Sequence, residues 1–197
     1  RLHILIAPTW GSSGLIENAG ILLVQSLLNA GLKVTLRPHP ETLKHTPRSI
    51  EEISAITSQD PSFHLELDVS SMNSFYSADL MISDWSGVAL EYAFGTMKPV
   101  IFFDTPRKVL NPNYQKLGLE PLEVSLREHI GLVAPIEDVG SSPEFVTNLM
   151  DSLDTKRKGI AEARDEYVFN LGASGKVGAE RILEIVDNRV AKATNTA

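Results

Sequence analysis

Short apolar runs alternate with stretches of helical period from the first residues to about position 135. Strand-length runs fall at His3 to Ala7, Lys33 to Arg37, Phe63 to Leu67, Leu80 to Ser83, Pro99 to Phe103 and Leu132 to Pro135. Between the first two, Ile21, Leu22, Val24, Gln25 and Leu28 recur at helical spacing over Asn18 to Ala30, and Gly31 follows as a natural stop. That is a complete βαβ unit. Its repetition as βαβαβαβαβ predicts an α/β fold, a Rossmann-like parallel sheet with helices on both faces.

The last third reads as helices. Ser142, Pro143 and Glu144 supply a cap, a first-turn proline and an acid, so a helix is expected from there to Leu153. Lys156 to Phe169 has the composition of a charged surface helix. Gly178 to Val190 gathers Ile182, Leu183, Ile185, Val186 and Val190 on one side, a face expected to pack over the sheet edge. Ala191 to Ala197 shows no apolar pattern and is expected to fray.

Composition narrows the class. A chain of 197 residues, 43% hydrophobic and 22% charged, excludes disorder, collagen-like repeats and coiled coil. The net charge of −7 and the lack of any basic run disfavour nucleic-acid binding, while leaving room for a small anionic ligand held locally. Without cysteine there is no disulfide, thiolate nucleophile or thiolate-bound metal. No apolar run reaches the roughly 18 residues of a membrane span and no signal peptide opens the chain, so a cytoplasmic location is expected. Strand residues begin almost at Arg1, which reads as a domain of a longer protein.

In open parallel sheets ligands bind beyond the carboxyl ends of the strands, so the segments after each strand carry the candidate chemistry. After the first comes Pro8 to Gly14, whose small residues, with Thr9, Trp10 and Gly11, can bring backbone amides to a ligand. Its glycine spacing is not the dinucleotide fingerprint, and a plain connection packed by Trp10 fits it as well. After the second, Arg37-Pro38-His39-Pro40 offers a guanidinium fork and an imidazole on a stiff backbone. Equally, it fits a polar turn.

The most informative stretch is Ser83-Asp84-Trp85-Ser86-Gly87-Val88, followed by Glu91, Tyr92 and Ala93. Ser86 and Gly87 fall where a helix should begin, so their amides can form an anion site, with Glu91 in reach of a ribose. The plainer alternative makes Ser86 an N-cap and Glu91 a solvated residue. After the fifth strand, Thr105 to Lys108 and Asn111 to Tyr114 form a polar loop in which Arg107 and Lys108 can meet phosphate. Asp104, Glu120 and Glu123 lie nearby without a catalytic spacing. His3 sits in the first strand, and His45, His64 and His129 lack a partner at metal-ligand spacing, so neither a metal nor a cofactor is expected.

Taken in order, Ile6 to Trp10, His39-Pro40, Ser83 to Val88 with Glu91-Tyr92-Ala93, and Lys98 to Phe102 resemble the CDP-glycerol glycerophosphotransferase family of teichoic-acid-type polymerases. The resemblance covers about Ile4 to Phe103. It implies a GT-B architecture, with residues 1 to 197 as the C-terminal nucleotide-binding half, closing helices from about 142, and an N-terminal acceptor domain elsewhere in the protein. It implies a catalytic His39 near the donor diphosphate, and donor binding by Thr9, Trp10, Gly11, Arg37, Ser83, Asp84, Ser86, Gly87, Val88, Glu91 and Arg107. The family turn carries two hydroxyl residues, whereas here the second is Gly87, so the backbone amides carry more of the role.

The implied donor is a CDP-linked polyol phosphate and the implied acceptor a hydroxyl of a lipid-linked surface polymer, met at the inner face of the membrane. The UDP-N-acetylglucosamine 2-epimerases, also GT-B, carry a similar turn followed by a glutamate that holds the ribose, in the place of Glu91. A UDP-sugar enzyme is therefore the alternative function. A non-catalytic domain using Trp10, Arg37 and Arg107 as a contact face is a third.

Overall fold

The computed structural model describes residues 1–107, 111 and 113–194, with side chains to 189. Two compact units divide it, Arg1–Ala163 and Arg164–Ala197.

The first unit is built on six parallel strands, β1 (His3–Ile6), β2 (Lys33–Leu36), β3 (Phe63–Leu65), β4 (Leu80–Ser83), β5 (Val100–Asp104) and β6 (Gly131–Pro135). Their spatial order is 3-2-1-4-5-6, so strand order reverses between β1 and β4. The register sets Ile6 beside Leu36 on one side and Ile82 on the other. All six expected strands are present, displaced by no more than two residues at any end.

The helices between strands are α1 (Leu15–Asn29), α2 (Pro40–His45), α3 (Pro47–Thr57), α4 (Asn73–Ser77) and α5 (Val88–Thr96). Beyond β5 come the short helices α6 (Leu122–Ser125) and α7 (Arg127–Ile130), and beyond β6 come α8 (Ser142–Asp151) and α9 (Leu153–Tyr167).

Strand periodicity divides the core into two layers. Ile4, Ile6, Leu80, Ile82, Ile101 and Phe103 pack with Leu23, Leu27, Ile53 and Leu149, which belong to α1, α3 and α8. Leu5, Met81, Val100 and Phe102 face the other way, toward Phe75, Tyr92, Ala93, Ile130 and Ile160. Alternate residues of one extended strand must point to opposite faces, so each strand supplies both layers and helices cover both faces.

Three expectations are corrected. The first helix starts at Leu15 rather than Asn18, because the Asp84 carboxylate accepts its first amide. Ser142 is not an N-cap: it lies inside α8 and its buried hydroxyl donates to the Val139 carbonyl. In the second unit, α10 (Ser174–Thr194) starts before the expected Gly178 and runs on past Val190 into residues expected to fray. Lys108, Pro112 and residues 195–197, the end of the expected frayed tail, lie outside the described residues. So do the side chains of Val190 and of 191–194.

Candidate functional site

The loop between β1 and α1 is held open by a buried carboxylate. Asp84, at the end of β4 and 1% exposed, accepts the Thr9 amide at 2.7 Å through Oδ1 and the Leu15 amide at 3.3 Å through Oδ2. Both ends of the Thr9 to Leu15 loop are thereby tied to one side chain. Within it Gly11, at φ 133°, adopts a backbone that only glycine takes without strain, and its carbonyl accepts the Gly14 amide at 2.7 Å. Burial pushes the Asp84 carboxyl above its ordinary value, against the opposing pull of the amides. Ser83 is buried alongside and donates to the Ala7 carbonyl at 2.8 Å. These two residues shape the crevice without opening onto it.

A cavity of about 540 Å³ lies against this loop, lined by Thr9 to Gly14, Trp85, Thr105 to Arg107, Pro121, Glu123 and Val124. It stands beyond the carboxyl ends of β1, β4 and β5, at the reversal of strand order, where open α/β sheets take ligands. Trp85 is fixed by its indole N–H, which donates to the Thr105 carbonyl at 2.7 Å. The Arg107 guanidinium lies 4.5 Å from the centre of the same ring.

Next to Trp85, α5 begins at Gly87 with no side-chain cap. The amides of its first turn and the helix dipole make this end receptive to negative charge. Ser86 and Gly87 adjoin the cavity through Trp85 and Glu123: a methyl group added at Gly87 would stand 4.0 Å from the Glu123 carboxylate. Glu91 lies on α5, exposed, and is not among the cavity-lining residues.

His39 caps α2, its Nδ1 accepting the Glu41 amide at 3.1 Å. That bond requires an unprotonated Nδ1 and so makes Nε2 the proton-bearing nitrogen of the neutral ring, a donor suited to a phosphate oxygen. The imidazole lies beside Trp10 of the cavity wall, with ring centroids 6.3 Å apart, and His45 stacks on the same indole at 5.2 Å.

Arg37 is engaged elsewhere. Its guanidinium donates to the Ser71 and Val69 carbonyls, pairs with Glu66 at 3.4 Å and lies 5.0 Å from the Phe75 ring centre. It staples the loop after β3 rather than facing the cavity. Thus Thr9, Trp10, Gly11 and Arg107 come together at the cavity, Ser86, Gly87 and Val88 follow its Trp85 in sequence without lining it, and His39 lies beside Trp10. Sequence reasoning treated Trp85 only as part of a motif. It also passed over Arg127, a lone arginine in a polar stretch whose burial nothing local signals.

No cluster of three or more His, Asp or Glu able to hold a metal occurs among the described residues. None of them forms a helix long and apolar enough to cross a membrane.

An α/β unit with this strand order and a pocket at its reversal is a Rossmann-like domain, the fold it shares with one half of the GT-B enzymes it resembles. Residues 1–109 match the CDP-Glycerol:Poly(glycerophosphate) glycerophosphotransferase family, and the chain belongs to that family. Among solved structures, UDP-GlcNAc 2-epimerase from Neisseria meningitidis, bound to UDP-GlcNAc, is similar with a TM-score of 0.57 at 15% identity, over 93% of this chain and 45% of that one. A Listeria monocytogenes protein assigned as UDP-N-acetylglucosamine 2-epimerase gives 0.54 at 16%, over 92% and 46%. The C-terminal CMP-Kdo binding domain of WaaA from Acinetobacter baumannii gives 0.51 at 12%, over 84% and 88%. The chain therefore spans just under half the length of the two epimerases but most of the CMP-Kdo binding domain. No curated protein is significantly similar to it.

Proposed function

We propose that this chain is the nucleotide-binding half of a transferase that holds a CDP-linked polyol phosphate and passes the polyol phosphate to a hydroxyl acceptor. The observation that carries the reading is an uncapped α5 terminus beside a cavity at the β1/β4 reversal, inside the segment that defines the family. The acceptor oxygen attacks the phosphorus distal to cytidine, the bond from that phosphorus to the bridging oxygen breaks, and CMP leaves. The amides of Ser86 to Val88 and the Nε2–H of His39 take up negative charge on the diphosphate, the electrostatic contribution that dominates phosphoryl transfer. Arg107 adds a cation beside Trp85.

A companion N-terminal domain brings the acceptor and the base that accepts its proton, because half a cleft cannot align two substrates. With a lipid-linked polymer as acceptor, the enzyme works at the inner face of the membrane. The CMP-Kdo binding domain supports a cytidine ligand on this fold, whereas the epimerase bound to UDP-GlcNAc favours a second reading, a UDP-sugar enzyme.

Calorimetric titration with CDP, CDP-glycerol and UDP separates the two. Tighter binding of the cytidine ligands, abolished by Ser86→Trp, is expected. Preference for UDP would replace the first reading with the second, and binding unaffected by Ser86→Trp would move the site away from α5.

A further inference from the structure

Behind the cavity wall lies a cation that no sequence motif marks. Arg127, the first residue of α7, is 4% exposed and stands outside the segment matched by the family. Its guanidinium is 3.9 Å from the centre of the Trp85 ring and 5.0 Å from that of Phe102. Nη1 donates to Asp104, a half-exposed carboxylate at the end of β5. Nε and Nη2 are buried and have no hydrogen-bond partner. A buried guanidinium normally fills its donors with carboxylates or carbonyls. Here aromatic faces take their place, which ties the cation to the ring rather than to the backbone.

That ring is part of the site. Trp85 lines the cavity and carries Arg107 against it, so two guanidiniums bear on one indole, one from the core and one from the mouth. The hydrogen bond to Thr105 holds the indole at its N–H edge. A buried cation set on its π-face constrains the plane of the ring as well.

We propose that Arg127 is the positioning residue of this site: it fixes the Trp85 indole as the cavity wall and thereby presents Arg107 to the phosphates of the ligand. The ligand part of the inference rests on the nucleotide-binding reading above; the fixing of Trp85 does not.

The test compares Arg127→Met and Arg127→Lys with the wild-type chain. Binding of CDP and of inorganic pyrophosphate is measured by calorimetry, and folding by circular dichroism. Because the chain has two tryptophans, the emission and anisotropy of Trp85 are read in a Trp10→Phe background. With its fold intact, Arg127→Met is expected to weaken both ligands about tenfold and to leave Trp85 red-shifted and more mobile. Arg127→Lys keeps the charge without the planar fork, so intermediate values in both readouts are expected. Should Arg127→Met fail to fold, the lysine variant decides alone.

Wild-type affinity together with unchanged Trp85 emission overturns the proposal, and so does altered emission with wild-type affinity. If the wild-type chain binds neither ligand, the nucleotide reading fails by itself. Trp85 emission and anisotropy then decide whether Arg127 positions the ring.

Discussion

Two helices begin at the same edge of the sheet and are treated in opposite ways. The start of α1 is closed: the Asp84 carboxylate, buried at the end of β4, takes its first amide and also holds the loop that precedes it. The start of α5, only four residues further along the chain from Asp84, has no side-chain cap and adjoins the cavity. A helix N-terminus attracts one anion, and at α1 the protein supplies that anion itself. The end left open is where a ligand's negative charge gains most. In dinucleotide-binding folds the first helix receives the pyrophosphate. Here that place is filled, and the candidate anion site moves across the reversal point to α5.

Breaking the closed end is expected to have the largest effect. Asp84→Asn keeps the shape but sets an NH2 against one of two backbone amides, so a loss of roughly 1–3 kcal/mol in denaturant unfolding is expected from the unsatisfied buried donor. Nucleotide affinity should fall with it, because the Thr9 to Gly14 wall loses its tether. A variant as stable as wild type would show that the loop is held by other contacts.

Closing the open end should separate binding from stability. Gly87 sits at φ −60°, which any residue adopts, and a Cβ there meets nothing closer than 4.0 Å. Gly87→Glu is expected to lower CDP affinity about tenfold while moving stability by no more than about 0.5 kcal/mol. Unchanged affinity in calorimetry would place the ligand's anion elsewhere.

His39 sharpens the comparison from the side. Under the proposed function, His39→Ala is expected to lower the rate of polyol-phosphate transfer about a hundredfold, with a smaller loss of donor affinity. Transfer at the wild-type rate would confine His39 to capping α2, the role its Nδ1 already fills.

The smallest effect lies at the opposite end of the sheet. His3 is buried against Thr35, at 2.8 Å from its hydroxyl, and burial holds its pKa below the ordinary 6.5. The unfolded chain therefore binds this proton more readily than the native one. Its contribution is intact above pH 6.5 and erodes as the pH falls from there toward the lowered native value. A modest decline in unfolding midpoint over that range is expected, and His3→Gln should flatten it. An identical slope in the variant would assign the decline to other groups.

Much of the scaffold was legible because it depends on local pattern. Alternating Ile4-Leu5-Ile6 and Val100-Ile101-Phe102-Phe103 can satisfy two apolar faces only as strands buried on both sides, and Gly31, at φ 76°, ends the first helix as its type predicts. The short helices α2, α3 and α4 were not read. Pro40 and Pro47 open two of them, but α2 and α4, of six and five residues, have too few turns for periodicity to register, and α3, of eleven, buries only Ile50, Ile53 and Thr57. The apolar face of α10 repeats at helical spacing, and there the pattern was enough to read a helix.

The sequence by itself determined the class of fold, the family and the segments that end strands, since these follow from residue type and spacing along one chain. Only the tertiary structure decided what each polar group does. Arg37, Asp84 and Arg127 carry charge that sequence can place but not aim. Folding turned the first to the loop after β3, the second to the amides of α1, and the third beneath Trp85. The physical reason is that a buried charge must find compensation within a few ångströms. Its partners here lie 23 to 75 residues away along the chain, and only the packing of strands 3-2-1-4-5-6 brings them together.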